Sequence, residues 1–313
     1  MVTILRVILR LEILSKLSNK DESSYLIDAT GFVLKYWFSM PEIVTKKGIS
    51  ISSFMGFSSF IRNFLYKYKP KKICMAFDES LGTCFRNKIY KDYKKNRPYP
   101  PDDLINQFQL CKDFLNIIGI SNYASKDYEA DDLLYTISQK NLDVNVNNIV
   151  ITNDKDLYQL IYSKDIWWNY SGKKYNFSDI TRLLGFSPRF MPDYQALMGD
   201  SVDCIPGAPG IGSTTAKQLI SQYHSLDEIY ENLNELPEIF GKRFLRISDI
   251  LKANKKIIYK SKKLATLCNI KDFIMTDEKQ SADLDKLEIF FDEIGISENI
   301  MTSWRNLLSR DQM

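Results

Sequence analysis

Histidine is almost missing from this sequence: 313 residues contain one, His224, and nothing beside it suggests a nucleophile or a metal site. Histidine-based catalysis is thereby set aside, and any acid, base or metal work falls to Asp, Glu, Lys, Tyr or water. His224 is read as structural. Cysteine is sparse too. The five (Cys74, Cys84, Cys111, Cys204, Cys268) are odd in number and form no C-x-x-C, which excludes a disulfide scaffold, argues against zinc and reads as a reduced, intracellular chain. Long apolar runs are also absent. In the first 20 residues, MVTILRVILRLEILSKLSNK, the charges of Arg6, Arg10, Glu12 and Lys16 interrupt every stretch, so neither a membrane span nor a secretory core of about 7 to 15 apolar residues fits. Residues 1–20 are read as a plain extension; an organellar targeting peptide is the alternative, and Glu12 counts against it. At 44% hydrophobic and 26% charged the chain has ordinary globular composition, which sets disorder aside.

From residue 24 onward short apolar runs alternate with amphipathic stretches, the pattern of an α/β domain. SYLID (24–28), KICMAFD (72–78) and NIVITND (148–154) read as buried strands, with 165–170 as another candidate. Ile51, Phe54, Met55, Ser58, Ile61 and Leu65 keep helical spacing, as do Leu104, Phe108, Cys111, Leu115 and Ile118. Parallel strands joined by helices follow. Beyond about residue 178 strand signals stop and helix signals take over, with Ser178 as an expected N-cap and Pro188 near a helix start. The loop CIPGAPGIG (204–212) is dense in Pro and Gly and predicts a tight turn between two helices.

Asp28, Asp78 and Asp154 each stand at the carboxyl end of a strand candidate. In a parallel sheet those ends share one edge, where open α/β folds place ligands. One such Asp alone reads as a turn or cap residue; three at one edge weaken that reading. Glu129, Asp131 and Asp132 open a helix, Asp156 follows Asp154, and Asp200 and Asp203 precede the Gly/Pro loop. Like charges about 4 Å apart at an effective dielectric near 20 repel by about 4 kcal/mol, so convergence of these carboxylates demands cations. An all-oxygen set selects Mg²⁺ or Mn²⁺, and two such ions roughly 4 Å apart suit in-line phosphodiester hydrolysis.

Residues 62–97 hold eleven Lys or Arg against three acids. Within 85–99, Arg86, Lys88, Lys91, Lys94, Lys95 and Arg97 interleave with Phe85, Tyr90, Tyr93 and Tyr99, a composition suited to single-stranded nucleic acid, although a solvated basic helix would look similar. Lys91, Lys94 and Lys95 recur at helical spacing and predict a helix presenting several cations to one side. The Gly-rich loop before a helix can offer backbone N–H groups to phosphate. It is not a P-loop, because no Gly-Lys-Ser/Thr follows. An acidic metal cluster facing a basic arm points to a nuclease.

The motifs LIDATGFVLKYWF, CMAFDESLGTCFRNKIYKDYKKNRPYPPDDL, DYEADDLL, VITNDKDLYQLI and QALMGDSVDCIPGAPGIGSTTAKQL, in this order, resemble those of the 5′ nuclease domain at the N-terminus of bacterial DNA polymerase I. The resemblance runs from about residue 22 to the C-terminus. It implies an N-terminal extension (1–21), then a PIN-like α/β catalytic domain (22–185) with a parallel sheet and a helical arch at about 80–103. A helix-hairpin-helix (H2TH) region (186–270) and a C-terminal helical segment (271–313) complete the expected order. The first metal cluster falls on Asp28, Asp78, Glu129, Asp131 and Asp132, and the second on Asp154, Asp156, Asp200 and Asp203. The arch carries Arg86, Tyr93, Lys94 and Arg97 at its working positions, and Lys35 matches a basic residue after the first strand. Lys94 and Arg97 are expected to neutralise the scissile phosphate and Tyr93 to stack on an unpaired base. Gly207, Gly210, Gly212, Ser213, Thr214 and Lys217 form the expected DNA-binding hairpin.

What the resemblance implies is a structure-specific 5′-3′ exonuclease and flap endonuclease. Two Mg²⁺ ions are its expected cofactors, with Mn²⁺ able to substitute and a K⁺ ion on the hairpin carbonyls. Its expected substrates are DNA flaps, nicks and ends, and RNA primers paired to DNA. A stand-alone monomer without membrane association is expected, serving a polymerase and a ligase in a bacterial-type cytoplasm. Two departures stand out. Where the family usually has G-x-G-x-K-T-A, this chain has Gly210-Ile211-Gly212-Ser213-Thr214-Thr215-Ala216, losing a lysine that Lys217 is placed to offset. Cys204 stands where Asn is common. The rival readings are a non-catalytic DNA-junction binder and a PIN-type ribonuclease.

Overall fold

The computed structural model describes residues 23–276 and 280–309; the expected extension at 1–21 lies outside them. Strand β1 (Ser23–Asp28) leads into α1 (Ala29–Ser39) and α2 (Ser52–Tyr68), then β2 (Lys72–Asp78), a short α3 (Phe85–Ile89), α4 (Asp102–Ile117) and β3 (Ser121–Ser125). Helix α5 (Ala130–Asp143), β4 (Asn147–Ile151), a 3₁₀ turn (Asp156–Leu160), β5 (Ile166–Trp168), β6 (Lys174–Asn176) and α6 (Phe177–Leu184) complete the first half. The second half is helical: α7 (Met191–Met198), α8 (Ser213–Tyr223), α9 (Leu226–Glu231), α10 (Leu236–Phe240), α11 (Phe244–Ala265), α12 (Leu284–Ile294) and α13 (Glu298–Leu308). No helix among the described residues is long and apolar enough to cross a membrane.

The sheet order is β3-β2-β1-β4-β5-β6, parallel except for the β5–β6 pair. The two-residue period of the strands sorts their apolar side chains into two cores. Ile27, Ile73, Met75, Phe77 and Ile151 join the layer built with α1, α2 and α4; Leu26, Cys74, Ala76 and Val150 join the layer with α5 and the 3₁₀ turn. The C-terminal helices return to the first layer. Trp304 is fully buried there, its ring 5.0 Å from that of Phe114, and Phe291 stacks on Phe114 at 6.1 Å. A third core belongs to the helical half, around Leu197, Leu219, Ile220 and Leu251.

Three local expectations change. Strand β3 (SNYAS) carries no buried apolar alternation and none of its residues is fully buried, so hydrophobic patterning could not reveal it. Helix α6 is capped by Asn176, not Ser178: Asn176 and Asp179 satisfy each other's backbone N–H groups in a reciprocal box, and the spacing N-x-x-D was the available signal. Residues 91–96 form successive turns instead of a helix, for a reason that lies in the site.

Candidate active site at the carboxyl edge of the sheet

The strand order reverses direction between β1 and β4, and the crevice at such a switch point is where doubly wound sheets bind ligands. Asp28 closes β1 at this crevice. It caps α1, accepting from Gly31 N at 3.0 Å through Oδ1, while Oδ2 accepts from Thr152 Oγ1 (3.0 Å) and the Tyr170 hydroxyl (3.2 Å). A Cβ on Gly31 would lie 2.0 Å from Tyr170 Oη, so glycine is required for this approach. Burial, with Asp154 nearby, raises the Asp28 carboxyl to about 6. Tyr170 gave no signal in the sequence, yet it touches the central acid and sits beneath the exposed Lys35 ammonium, 5.7 Å from the ring.

Asp131 projects from the first turn of α5 into the same crevice. Burial, then Asp154 and Asp28, hold its carboxyl well above the usual range. Asp154, three residues past β4, is likewise raised by the protein packed around its carboxylate and by Asp203, although water reaches the residue. Asp156 is raised to about 7 by burial and by Asp154, Asp203 and Asp200 together. Gln195 of α7 donates to Asp156 Oδ1 at 2.6 Å, and its own Oε1 is buried without a partner. Asp78 ends β2 and accepts from the Ser80 N–H and hydroxyl (3.0 and 2.7 Å). Asp200 and Asp203 come from the turn after α7, closed by paired backbone bonds between Asp200 and Ile205.

The arch segment lies against these acids. Arg86 is 1% exposed; its guanidinium grips both oxygens of Asp132 (2.6 and 2.8 Å), reaches Glu129 at 2.9 Å and donates to the Leu264 and Thr266 carbonyls. Asp132 also accepts from Cys268 N and Glu129 N, so its lone pairs are taken up by protein donors. Cys84, Glu129 and Asp132 bring ligand atoms within 4.8 Å of one another, but the Arg86 guanidinium occupies their meeting point, and burial followed by Glu129 raises the Cys84 thiol to about 11, far from a thiolate. Lys94 Nζ contacts the Glu129 carboxylate and lies 3.5 Å from Asp203, which also takes Arg97 Nη2 at 2.5 Å. Burial works against the Lys94 charge, yet Glu129 and Asp203 outweigh it and keep the ammonium protonated. Conversely, burial pushes Glu129 upward while Lys94 and Arg86 prevail and hold it below the usual range.

These ion pairs explain the missing helix. Lys94 takes a left-handed backbone (φ 53°) and its N–H donates to the Asp203 carbonyl, a geometry that a helix forbids. Tyr93 is 4% exposed with its hydroxyl on Glu129 at 2.9 Å. The expected stacking face of Tyr93 is thus turned inward, and Arg86 likewise faces the interior. Lys91 and Lys95 remain exposed.

The hairpin joins α7 to α8. A Cβ on Gly207 would lie 2.4 Å from Gly199 N, so the two loop arms pack backbone to backbone. Gly212, Ser213 and Thr214 are exposed at the start of α8, whereas Lys217 turns back toward the Leu183 carbonyl at 3.4 Å. His224 ends α8 and stacks on Phe190, the structural role expected of it. Mutual charge effects join Asp28, Glu129, Asp131, Asp154, Asp156, Asp200 and Asp203 at one edge, Asp78 acts on the neighbouring Arg97, and Asp132 lies behind them. Carboxylates raised by burial and mutual repulsion, in an all-oxygen set, fit hard divalent cations; Asp28, Asp131, Asp154 and Asp156 are the groups such ions would relieve most.

Comparison with known proteins agrees with this architecture. Residues 23–183 match the 5′-3′ exonuclease N-terminal resolvase-like domain, and residues 186–286 match the 5′-3′ exonuclease C-terminal SAM fold. A 5′-3′ exonuclease of Aquifex aeolicus is 31% identical over 268 residues, covering 84% of this chain and 89% of the relative. DNA polymerase I of Caldicellulosiruptor bescii is 29% identical over 273 residues, and the match covers 85% of this chain but 31% of that longer protein. In fold, the chain is similar to the bacteriophage T5 D15 flap endonuclease solved as a complex with DNA and metal ions, with a TM-score of 0.59 and 16% identity over 93% of this chain and 100% of that one. Two domain matches in succession and a relative of comparable length establish that the chain belongs to the 5′-3′ exonuclease family.

Proposed function

We propose that the chain is a structure-specific 5′-3′ exonuclease and flap endonuclease that hydrolyses DNA phosphodiesters at flaps, nicks and ends, and RNA primers paired to DNA, with Mg²⁺ as its cofactor. The observation that carries this reading is the crowd of carboxylates at the β1/β4 crevice, raised by burial and by one another. Asp28, Asp78, Glu129 and Asp131 would hold one divalent ion, and Asp154, Asp156, Asp200 and Asp203 a second. When bound, such ions supply Lewis acidity for in-line phosphodiester hydrolysis. The T5 relative's DNA and metal complex supports the assignment.

The protein's own groups do the rest. Lys94 stands between Glu129 and Asp203 and links the two carboxylate groups, and Arg97 pairs with Asp203, so the two bring positive charge to where a phosphate's negative charge develops. Tyr93 positions Glu129, and Arg86 positions Asp132 and Glu129 from behind. Lys35, exposed above Tyr170, offers a cation to the substrate strand. A K⁺ ion on the hairpin carbonyls and a monomer working beside a polymerase and ligase in the cytoplasm belong to the same proposal. The experiment is cleavage of a 5′-labelled DNA flap in Mg²⁺ and in EDTA, beside single-stranded RNA. Flap binding without cleavage would favour the junction-binding alternative, and faster cutting of the RNA would favour the ribonuclease.

A further inference from the structure

Gln195 carries no charge, yet it joins the two stretches of chain that supply the second group of acids. Its side chain is 2% exposed. Nε2 donates to Asp156 Oδ1 at 2.6 Å, and the Asp156 N–H in turn donates to Asp154 Oδ1 at 2.8 Å. Through its backbone carbonyl Gln195 accepts from Gly199 N at 2.7 Å, which closes α7 one residue before Asp200. Asp200 Oδ1 accepts from Asp203 N at 3.3 Å. Asp154 and Asp156 on one side, and Asp200 and Asp203 on the other, are thus tied through a single residue.

The other half of the amide is unsatisfied. Among the described residues nothing donates to Gln195 Oε1, although protein surrounds it. A buried carbonyl oxygen without a donor loses its hydration and gains nothing in return, and nearly all such atoms in folded proteins meet protein or bound water. Turning the amide over does not help, because Oε1 would then face the Asp156 carboxylate at 2.6 Å, acceptor against acceptor. Oε1 shares its carbon with the nitrogen on Asp156, so it lies beside that carboxylate, where Asp154, Asp203 and Asp200 also exert their charge. Ionised carboxylates have no hydrogen to give it. A hydrated cation does: water on an ion points its hydrogens away from the metal, and Mg²⁺ gives up its water reluctantly and keeps several.

We infer that Gln195 is a positioning residue for the second ion and favours a hydrated one: Nε2 fixes Asp156, while Oε1 accepts a hydrogen bond from a water that the ion retains. This deepens the nuclease proposal and rests on it, since it names a neutral group that holds the ion beside the acids.

The test measures ion binding to the full chain without DNA, by calorimetry, for Mg²⁺, Mn²⁺ and cobalt(III) hexaammine, an exchange-inert ion that binds only through its ammine N–H groups. Gln195→Leu should weaken Mg²⁺ and the hexaammine at one site by about tenfold or more, the scale of losing a group that supports metal ligands. Mn²⁺ exchanges water for carboxylate oxygen more readily and should lose only a few-fold. Gln195→Glu keeps an oxygen in place and should hold Mg²⁺ at least as tightly as the wild type. Unchanged Mg²⁺ binding by the leucine variant overturns the inference. So does an equal loss for all three ions, which would show that Gln195 only orients Asp156. Should the leucine variant not fold, a loss of Mg²⁺ affinity of about tenfold in Gln195→Glu has the same force. Wild-type chain that binds Mg²⁺ but leaves a 5′ flap uncut would remove the nuclease reading alone, with the ion affinities still deciding Gln195.

Discussion

Removing the charge of Asp28 should stabilise the protein in the absence of divalent ions. Its carboxyl is held at about 6 in the folded chain against an ordinary 3.8. Between those values the folded state binds more protons than the unfolded one, so stability is greatest below about 3.8 and is lost as pH rises through about 6. Converted at 1.36 kcal/mol per pH unit, the ionised folded state carries about 3 kcal/mol of this penalty at neutral pH, an upper figure because neighbours relax. Asn is as good an N-cap as Asp, so Asp28→Asn keeps the bond from Gly31 N, while the Thr152 and Tyr170 hydroxyls can turn to accept from the new amide. In EDTA at pH 7.5 the variant should gain about 1 to 3 kcal/mol, read as a melting shift on the order of 2 °C per kcal/mol, and the gain should vanish near pH 4. Mg²⁺ should then raise the melting temperature of the wild type more than that of the variant. A variant equally destabilised at both pH values would refute the idea that this carboxylate is strained by its surroundings.

The remaining expectations concern the arch and the core. Arg86→Met strands Asp132 and Glu129 as buried charges and should cost about 3 to 5 kcal/mol in urea unfolding; a loss below about 1 kcal/mol would mean the pair is solvated. Trp304→Ala empties the contact between α13 and Phe114 and should cost about 3 to 5 kcal/mol, with a melting curve unchanged from wild type showing that the C-terminal helices do not belong to the first core. Lys94→Ala should lower single-turnover flap cleavage by about 10² or more, whereas exposed Lys95→Ala should act on low-salt affinity; equal effects on rate would deny Lys94 its special place between Glu129 and Asp203.

Much of this site is legible in the sequence because its chemistry sits on periodic structure. Asp28 and Asp78 end strands β1 and β2, and Asp154 follows β4 closely, positions that the short apolar runs mark directly. The turn carrying Asp200 and Asp203 was announced by its Gly and Pro content. What stayed hidden depends on contacts distant in sequence. Arg86 and Lys94 look like surface cations by spacing, yet partners more than thirty residues away draw them inward, and a buried ion pair overrides the local helical pattern. Tyr170 lies in the turn after β5 and Gln195 inside α7, and their roles arise from the acid each one touches. Asp132 shows the same limit from the other side, since its sequence position matched a ligand motif while its oxygens are consumed by Arg86 and backbone N–H groups.

In the proposed reaction, divalent ions held by the carboxylates of the β1/β4 crevice cut DNA at a 5′ flap. The most direct measurement is single-turnover cleavage of a 5′-labelled flap by the full chain and by Asp131→Asn, with affinity followed in parallel in EDTA. Product is expected from the wild type in Mg²⁺, none in EDTA, and none from Asp131→Asn, while flap affinity of the variant equals or exceeds that of the wild type because repulsion with the phosphates is reduced. Turnover by Asp131→Asn within about tenfold of wild type, some 1.4 kcal/mol of barrier, or wild-type cleavage that persists in EDTA, would contradict it.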